Sequence, residues 1–204
     1  MVDQLCAAAE AIHRSGHAVN TLLRNTPNVL TAVRVLLAPL TGYLIFQGND
    51  IVALGVFALA GASDAVDGFL ARRFGLVSRF GEYLDPAADK LLMLICFVTL
   101  TMMHQAPLWL SVIVIGRDIA IVAGVLCARA LSLPVKMEPL AIGKASTVVQ
   151  IGYIGLLLLL LAFNVDMPQL TLFAAAAAAV FTLLSWLAYG QLLLKAFALG
   201  RRPA

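Results

Sequence analysis

The sequence predicts an all-α integral membrane protein, with six transmembrane helices and an N-terminal amphipathic juxtamembrane helix. Three observations predict it. Of 204 residues, 62% are hydrophobic and 12% are charged, with a mean hydropathy of +0.96. A soluble domain carries about 25% charged residues. Six apolar stretches have lengths near the roughly 20 residues that cross a bilayer as a helix. The basic residues collect at alternate ends of those stretches, as they do in multi-pass proteins.

The six stretches run over 29–47, 51–71, 87–104, 107–131, 145–164 and 168–196. Short polar turns separate three of the pairs: QGND at 47–50, HQAP at 104–107 and NVDMP at 164–168. Gly, Asn and Pro punctuate helices because they accept or impose backbone angles that a helix interior does not use. The third stretch is short and carries Asp89 and Lys90 in its first turn. The last is long enough to tilt or to project beyond the bilayer. Its FAAAAAAV run at 173–180 suits close helix packing by small residues. A longer polar loop is expected at 72–86.

Twelve basic residues, from Arg14 and Arg24 through Arg72, Arg73, Arg79 and Lys90 to Arg201 and Arg202, lie at or near one side, and the three short turns contain no Lys or Arg. Both termini and the 72–86 loop are therefore expected on the cytoplasmic side. Only Arg34 and Arg117 fall well inside predicted helices. Residues 1–26 read as a juxtamembrane segment, 27–198 as the six-helix domain and 199–204 as a basic tail. Leu5, Ala8, Ile12, Val19 and Leu22 give 3–23 a weakly amphipathic pattern that suits a membrane surface. With His13, Arg14, His17 and Arg24 the segment does not read as a signal peptide. Cys6, Cys96 and Cys127 are too widely spaced for a disulfide or zinc pattern. No nucleic-acid partner is expected.

The chemistry concentrates between Asp64 and Asp89, where the chain reads SDAVDGFLARRFGLVSRFGEYLDPAADK. Asp64 and Asp67 are three apart at the end of the second stretch, and Asp85 and Asp89 are four apart at the start of the third. Those spacings place each pair on one helix face. Four carboxylates brought close together cannot all stay ionised without cations. Oxygen donors suit Mg²⁺, Mn²⁺ or Ca²⁺, and four carboxylates can hold two ions around a phosphoryl group. Gly68 and Gly81 permit close backbone approach, and Arg72 offers a bidentate fork to phosphate. An ion carrier is the competing class. Carriers bind their ions near the bilayer midplane and often show repeated halves. Here the acids stand at one interface and no repeat is visible.

The pattern D-x2-D-G-x2-A-R-x8-G-x3-D-x3-D, matched at every fixed position, resembles the signature of the CDP-alcohol phosphotransferase (CDP-alcohol phosphatidyltransferase) family. PNVLTAVR at 27–34 and the six-helix layout resemble it too. The resemblance implies transfer of a phosphatidyl group from CDP-diacylglycerol to an alcohol with release of CMP, supported by Mg²⁺ or Mn²⁺, two ions per site. Asp64, Asp67, Asp85 and Asp89 would hold the metals, with Asp85 and Asp89 catalytic and Asp89 the general base. Asn28, Thr31, Gly68, Ala71, Arg72 and Gly81 would line the nucleotide pocket. A homodimer is implied, in a bacterial inner membrane or facing the mitochondrial matrix.

For the acceptor, Arg117, Arg129 and Lys144 are the candidates. The phosphatidylglycerophosphate synthase subfamily typically has R-E on helix 4 and a second arginine eight residues later, suited to glycerol 3-phosphate. Here the dipeptide is Arg117-Asp118, position 125 is valine, and the next arginine is Arg129. LAPLTGYLI at 37–45 and the RD…AR spacing resemble more closely the cardiolipin synthase subfamily, whose acceptor is phosphatidylglycerol.

Overall fold

The computed structural model describes residues 33–74, 79–130 and 140–200, without the side chains of 64–89, 128, 129, 193 and 195–200. The juxtamembrane helix, Asn28, Thr31 and the basic tail of the sequence expectations lie outside the described residues. Among the described residues the chain is all-helical, with six helices. They are α1 (Val33–Phe46), α2 (Asp50–Phe74), α3 (Arg79–Met102), α4 (Leu108–Ala130), α5 (Ala141–Ala162) and α6 (Pro168–Gly200).

Each expected stretch coincides with a helix, and two boundaries differ in a way that bears on function. The loop expected over 72–86 is not observed. Helix α2 continues to Phe74 and α3 already begins at Arg79, so Gly81 and Asp85 stand in a helix. The sequence reading started the third helix after Pro86. Proline removes one backbone donor, the one that would bond the carbonyl of Glu82. Every other helical bond remains available, and near a membrane backbone groups are costly to leave unmade. Helix α5 likewise begins at Ala141 and takes Lys144 into its first turn.

Among the described residues three helices, over Leu108–Cys127, Ala141–Ala162 and Pro168–Leu192, are long and apolar enough to cross a membrane. The described residues of the other three helices contain the apolar segments Val33–Phe46, Asp50–Ser63 and Lys90–Met102. Helix α6 has 33 residues, roughly 50 Å at 1.5 Å per residue, which exceeds the hydrocarbon thickness of about 30 Å.

The chain forms two compact units. One comprises the residues up to Tyr43 with Gly55–Ile95, and the other Leu44–Leu54 with the chain from Cys96 onward. Phe57, Ala60, Leu92 and Met93 are buried in the first unit, together with Arg34, Ala38 and Thr41.

In the second unit α6 packs on α5 and on α4. Ala175, Ala178, Thr182 and Ser185 are buried on α6 at steps of three and four, one face of the helix. Small side chains there let the backbones approach, so the alanine run serves packing. Phe97 of α3 stacks on Tyr153 of α5, with ring centroids 6.1 Å apart and planes 19° apart. Hydroxyls inside the apolar packing bond back to the preceding turn. Thr101 Oγ1 donates to the Phe97 carbonyl at 2.7 Å and Thr182 Oγ1 to that of Ala178 at 2.6 Å.

The turns after α1, α3 and α5 share one construction. Each places a residue in the left-handed region, Gly48 (φ 70°), His104 (φ 58°) and Asn164 (φ 52°). In each the following N–H reaches back to a carbonyl five residues earlier: Asn49 to Leu44, Gln105 to Leu100 and Val165 to Leu160. These are Schellman closures, which satisfy carbonyls that a helix end leaves open. Asp50, Gln105 and Asn164, one from each connection, line a single open depression of about 480 Å³. The three turns without Lys or Arg therefore converge at one end of the second unit.

Candidate functional site

All the motif positions fall in the first unit. Asp64, Asp67, Gly68, Ala71 and Arg72 occupy the C-terminal half of α2, and Gly81, Asp85 and Asp89 the N-terminal half of α3. Only residues 75–78 separate the two helices. Asp64 and Asp67 are one turn apart on a continuous helix, and so are Asp85 and Asp89. The donor set is four carboxylates with no thiol or imidazole among them, which fits a hard divalent cation such as Mg²⁺ or Mn²⁺. Their side chains lie outside the described residues.

The acceptor candidates fall in the second unit. Arg129 is in the last turn of α4, and Lys144 is exposed in the first turn of α5. Arg117, in the middle of α4, is 4% exposed. A guanidinium this deep in an apolar helix needs partners, because an unpaired charge there is costly. Its Nη1 donates to Asp118 Oδ1 at 2.7 Å. Its Nε and Nη2 donate to the same oxygen, Ser185 Oγ of α6, at 3.1 and 2.7 Å. The guanidinium carbon also lies 5.8 Å from the centroid of the Tyr189 ring, within cation–π range.

Successive residues on a helix point apart, which argues against an Arg117–Asp118 pair from spacing alone. The long arginine side chain nonetheless reaches its neighbour.

Tyr189 has a second role at the start of α5. The N-cap residue Leu140 has no side chain able to cap. Its backbone N–H donates instead to Tyr189 Oη at 3.3 Å. Two or more turns further along, Gln150 Nε2 donates to Thr182 Oγ1 at 2.8 Å and to Ser146 Oγ at 3.2 Å, all three buried. A polar seam thus runs between α5 and α6, from Gly143 and Tyr189 inward to Gln150 and Thr182.

Sequence reading missed Ser185, Tyr189 and Gly143. A signal was present on α6, where Thr182, Ser185 and Tyr189 recur at steps of three and four within the otherwise apolar run 172–190.

Residues 24–192 match the sequence pattern of the family described as CDP-alcohol phosphatidyltransferase. The chain belongs to the CDP-alcohol phosphatidyltransferase family. The match takes in Asn28, Thr31 and both motif helices. Among curated relatives, the cardiolipin synthase (CMP-forming) of Homo sapiens is 38% identical over a 154-residue alignment that covers 68% of this chain and 51% of the relative. The chloroplastic CDP-diacylglycerol–glycerol-3-phosphate 3-phosphatidyltransferase 1 of Oryza sativa subsp. japonica is 34% identical, covering 80% of this chain and 52% of the relative. A probable phosphatidylglycerophosphate synthase of Mycobacterium tuberculosis is 31% identical, covering 76% and 75%. The chain thus spans about half the length of the first two relatives and three quarters of the third.

Proposed function

We propose that this CDP-alcohol phosphatidyltransferase moves the phosphatidyl group of CDP-diacylglycerol onto phosphatidylglycerol, giving cardiolipin and CMP. The observation that carries the reaction class is the placement of Asp64, Asp67, Asp85 and Asp89 one turn apart in pairs on consecutive helices, within the family match.

In this reading Asp64, Asp67, Asp85 and Asp89 would hold two Mg²⁺ or Mn²⁺ ions, which would supply charge neutralisation for the diphosphate and the departing CMP. Asp89 accepts the proton of the acceptor hydroxyl as its oxygen bonds the phosphatidyl phosphorus and the bond to CMP breaks. Arg72 offers its fork to the donor phosphates. Gly68, Ala71 and Gly81 leave room for the nucleotide, and Asn28 and Thr31 face it. The acyl chains stay in lipid while the headgroups react at the cytoplasmic interface. Six spans, cytoplasmic termini and a homodimer complete the proposal.

The acceptor assignment rests on Arg117. Its charge is already compensated by Asp118 at 2.7 Å. A paired arginine suits the single negative charge of a phosphodiester lipid better than the double charge of glycerol 3-phosphate. Glycerol 3-phosphate is the second reading, favoured by the rice and mycobacterial relatives.

The deciding experiment gives purified protein in detergent–lipid micelles CDP-diacylglycerol, Mg²⁺ or Mn²⁺, and one acceptor, with lipid products read by mass spectrometry. Cardiolipin and CMP with phosphatidylglycerol alone are expected. Phosphatidylglycerophosphate from glycerol 3-phosphate would transfer the assignment to the second reading. An absence of CMP with both acceptors, while divalent cations cross liposomes carrying the protein, would favour a carrier.

A further inference from the structure

Three groups beside Arg117 have no part in the transfer chemistry above, yet they determine where its guanidinium can sit. Ser185 Oγ accepts from both Nε and Nη2, so the planar group cannot rotate without losing two bonds at once. The Tyr189 ring lies beside the guanidinium, and its hydroxyl is tied to the backbone at the start of α5. Gly143 closes the third side. A Cβ there would come within 3.0 Å of Tyr189 Oη, 3.1 Å of Tyr189 Cε2 and 3.2 Å of Arg117 Nη2. Those separations are tighter than ordinary carbon contacts, so a side chain at this position would displace the ring or the guanidinium.

A guanidinium has five N–H groups. Ser185 and Asp118 engage three of Arg117's, leaving two without a partner among the described residues. The group is thus buried and fixed on three sides, with one N–H on Nη1 and one on Nη2 left to donate to an oxyanion.

We propose that Ser185, Tyr189 and Gly143 form a clamp, built from α5 and α6, that positions the Arg117 guanidinium for a phosphate oxygen of the acceptor. They are positioning residues acting through Arg117. The proposal rests on the reading of Arg117 as an acceptor-binding residue. It goes beyond that reading by naming what sets the geometry. Because Tyr189 also holds Leu140, the start of α5 and the guanidinium are held by one side chain.

The test uses the full chain in mixed micelles with CDP-diacylglycerol, and phosphatidylglycerol and glycerol 3-phosphate as separate acceptors. Ser185→Ala is expected to raise the KM of the preferred acceptor about tenfold, the worth of a hydrogen bond to a charged group. Donor KM and kcat should stay within about twofold of the parent. Ser185→Thr keeps the hydroxyl and should restore most of the loss. Gly143→Ala removes no hydrogen-bonding group and should still raise acceptor KM. Arg117→Lys, which keeps the charge and loses the fork, supplies the reference. Unchanged acceptor KM in Ser185→Ala and Gly143→Ala, with Arg117→Lys raised, overturns the clamp alone. A uniform fall of kcat and of both affinities, together with melting temperature, assigns these residues to packing and also overturns it. Unchanged acceptor KM in Arg117→Lys removes the acceptor role of Arg117 and the clamp's purpose with it.

Discussion

Gln150 of α5 donates to Thr182 of α6 across 2.8 Å, with both side chains at 1% exposure or less. Between two apolar helices in lipid there is little hydrophobic force to select a rotation, because lipid tails are as apolar as leucine. A buried amide and hydroxyl supply that selection, since only one facing satisfies both. Gln150→Leu is expected to destabilise the protein by about 1 kcal/mol, the middle of the range for polar contacts between membrane helices. Thr182→Val should cost a similar amount, and the double variant less than their sum. Additive losses in an unfolding titration in mixed micelles would show that the pair does not act together.

The aromatic stack of Phe97 on Tyr153 joins the end of α3 to the middle of α5. Phe97 is fully buried. Phe97→Ala should therefore cost roughly 3 kcal/mol through the cavity it leaves. Phe97→Leu should cost under half as much. Equal losses for the two would point to the ring contact rather than to volume.

His104 holds φ at 58° in the closure after α3, where the turn after α1 has glycine. A side chain in the left-handed region costs about 1 kcal/mol, and glycine escapes most of that. His104→Gly should raise the melting temperature, whereas Gly48→Val should lower it. A drop in His104→Gly would mean that the imidazole makes a contact worth more than the strain.

Asp89→Asn is expected to retain CDP-diacylglycerol binding and to lose turnover by about 100-fold or more, the usual worth of a general base. Asp67→Asn should instead raise the Mg²⁺ or Mn²⁺ concentration needed for half-maximal activity. Chelation with EDTA should abolish CMP release, and added metal should restore it. Full activity in Asp89→Asn would remove its assignment as the base.

The helices and their turns are local properties, and the sequence determined them alone. An apolar run of near-spanning length has one favourable backbone state in lipid, and Gly48, Asn164 and Pro168 mark ends because their own dihedral preferences do so. The spacing of Asp64, Asp67, Asp85 and Asp89 likewise needs no tertiary information, since it is set within single helices. The start of α3 was less legible, because Pro86 is a local stop signal that the continuing helical ladder overrode. What only the tertiary structure decided is which sides of the helices meet. Helices α5 and α6 are apolar over most of their surface, and the Thr182, Ser185 and Tyr189 stripe marks a face of α6 without saying which helix it meets. One partner of Arg117 is its neighbour Asp118, but the other is Ser185, 68 residues away. Nothing near Arg117 in the chain indicates that hydroxyl; it is brought there because a buried guanidinium must be satisfied, and the small-residue face of α6 lets α4 and α5 come close enough to do it.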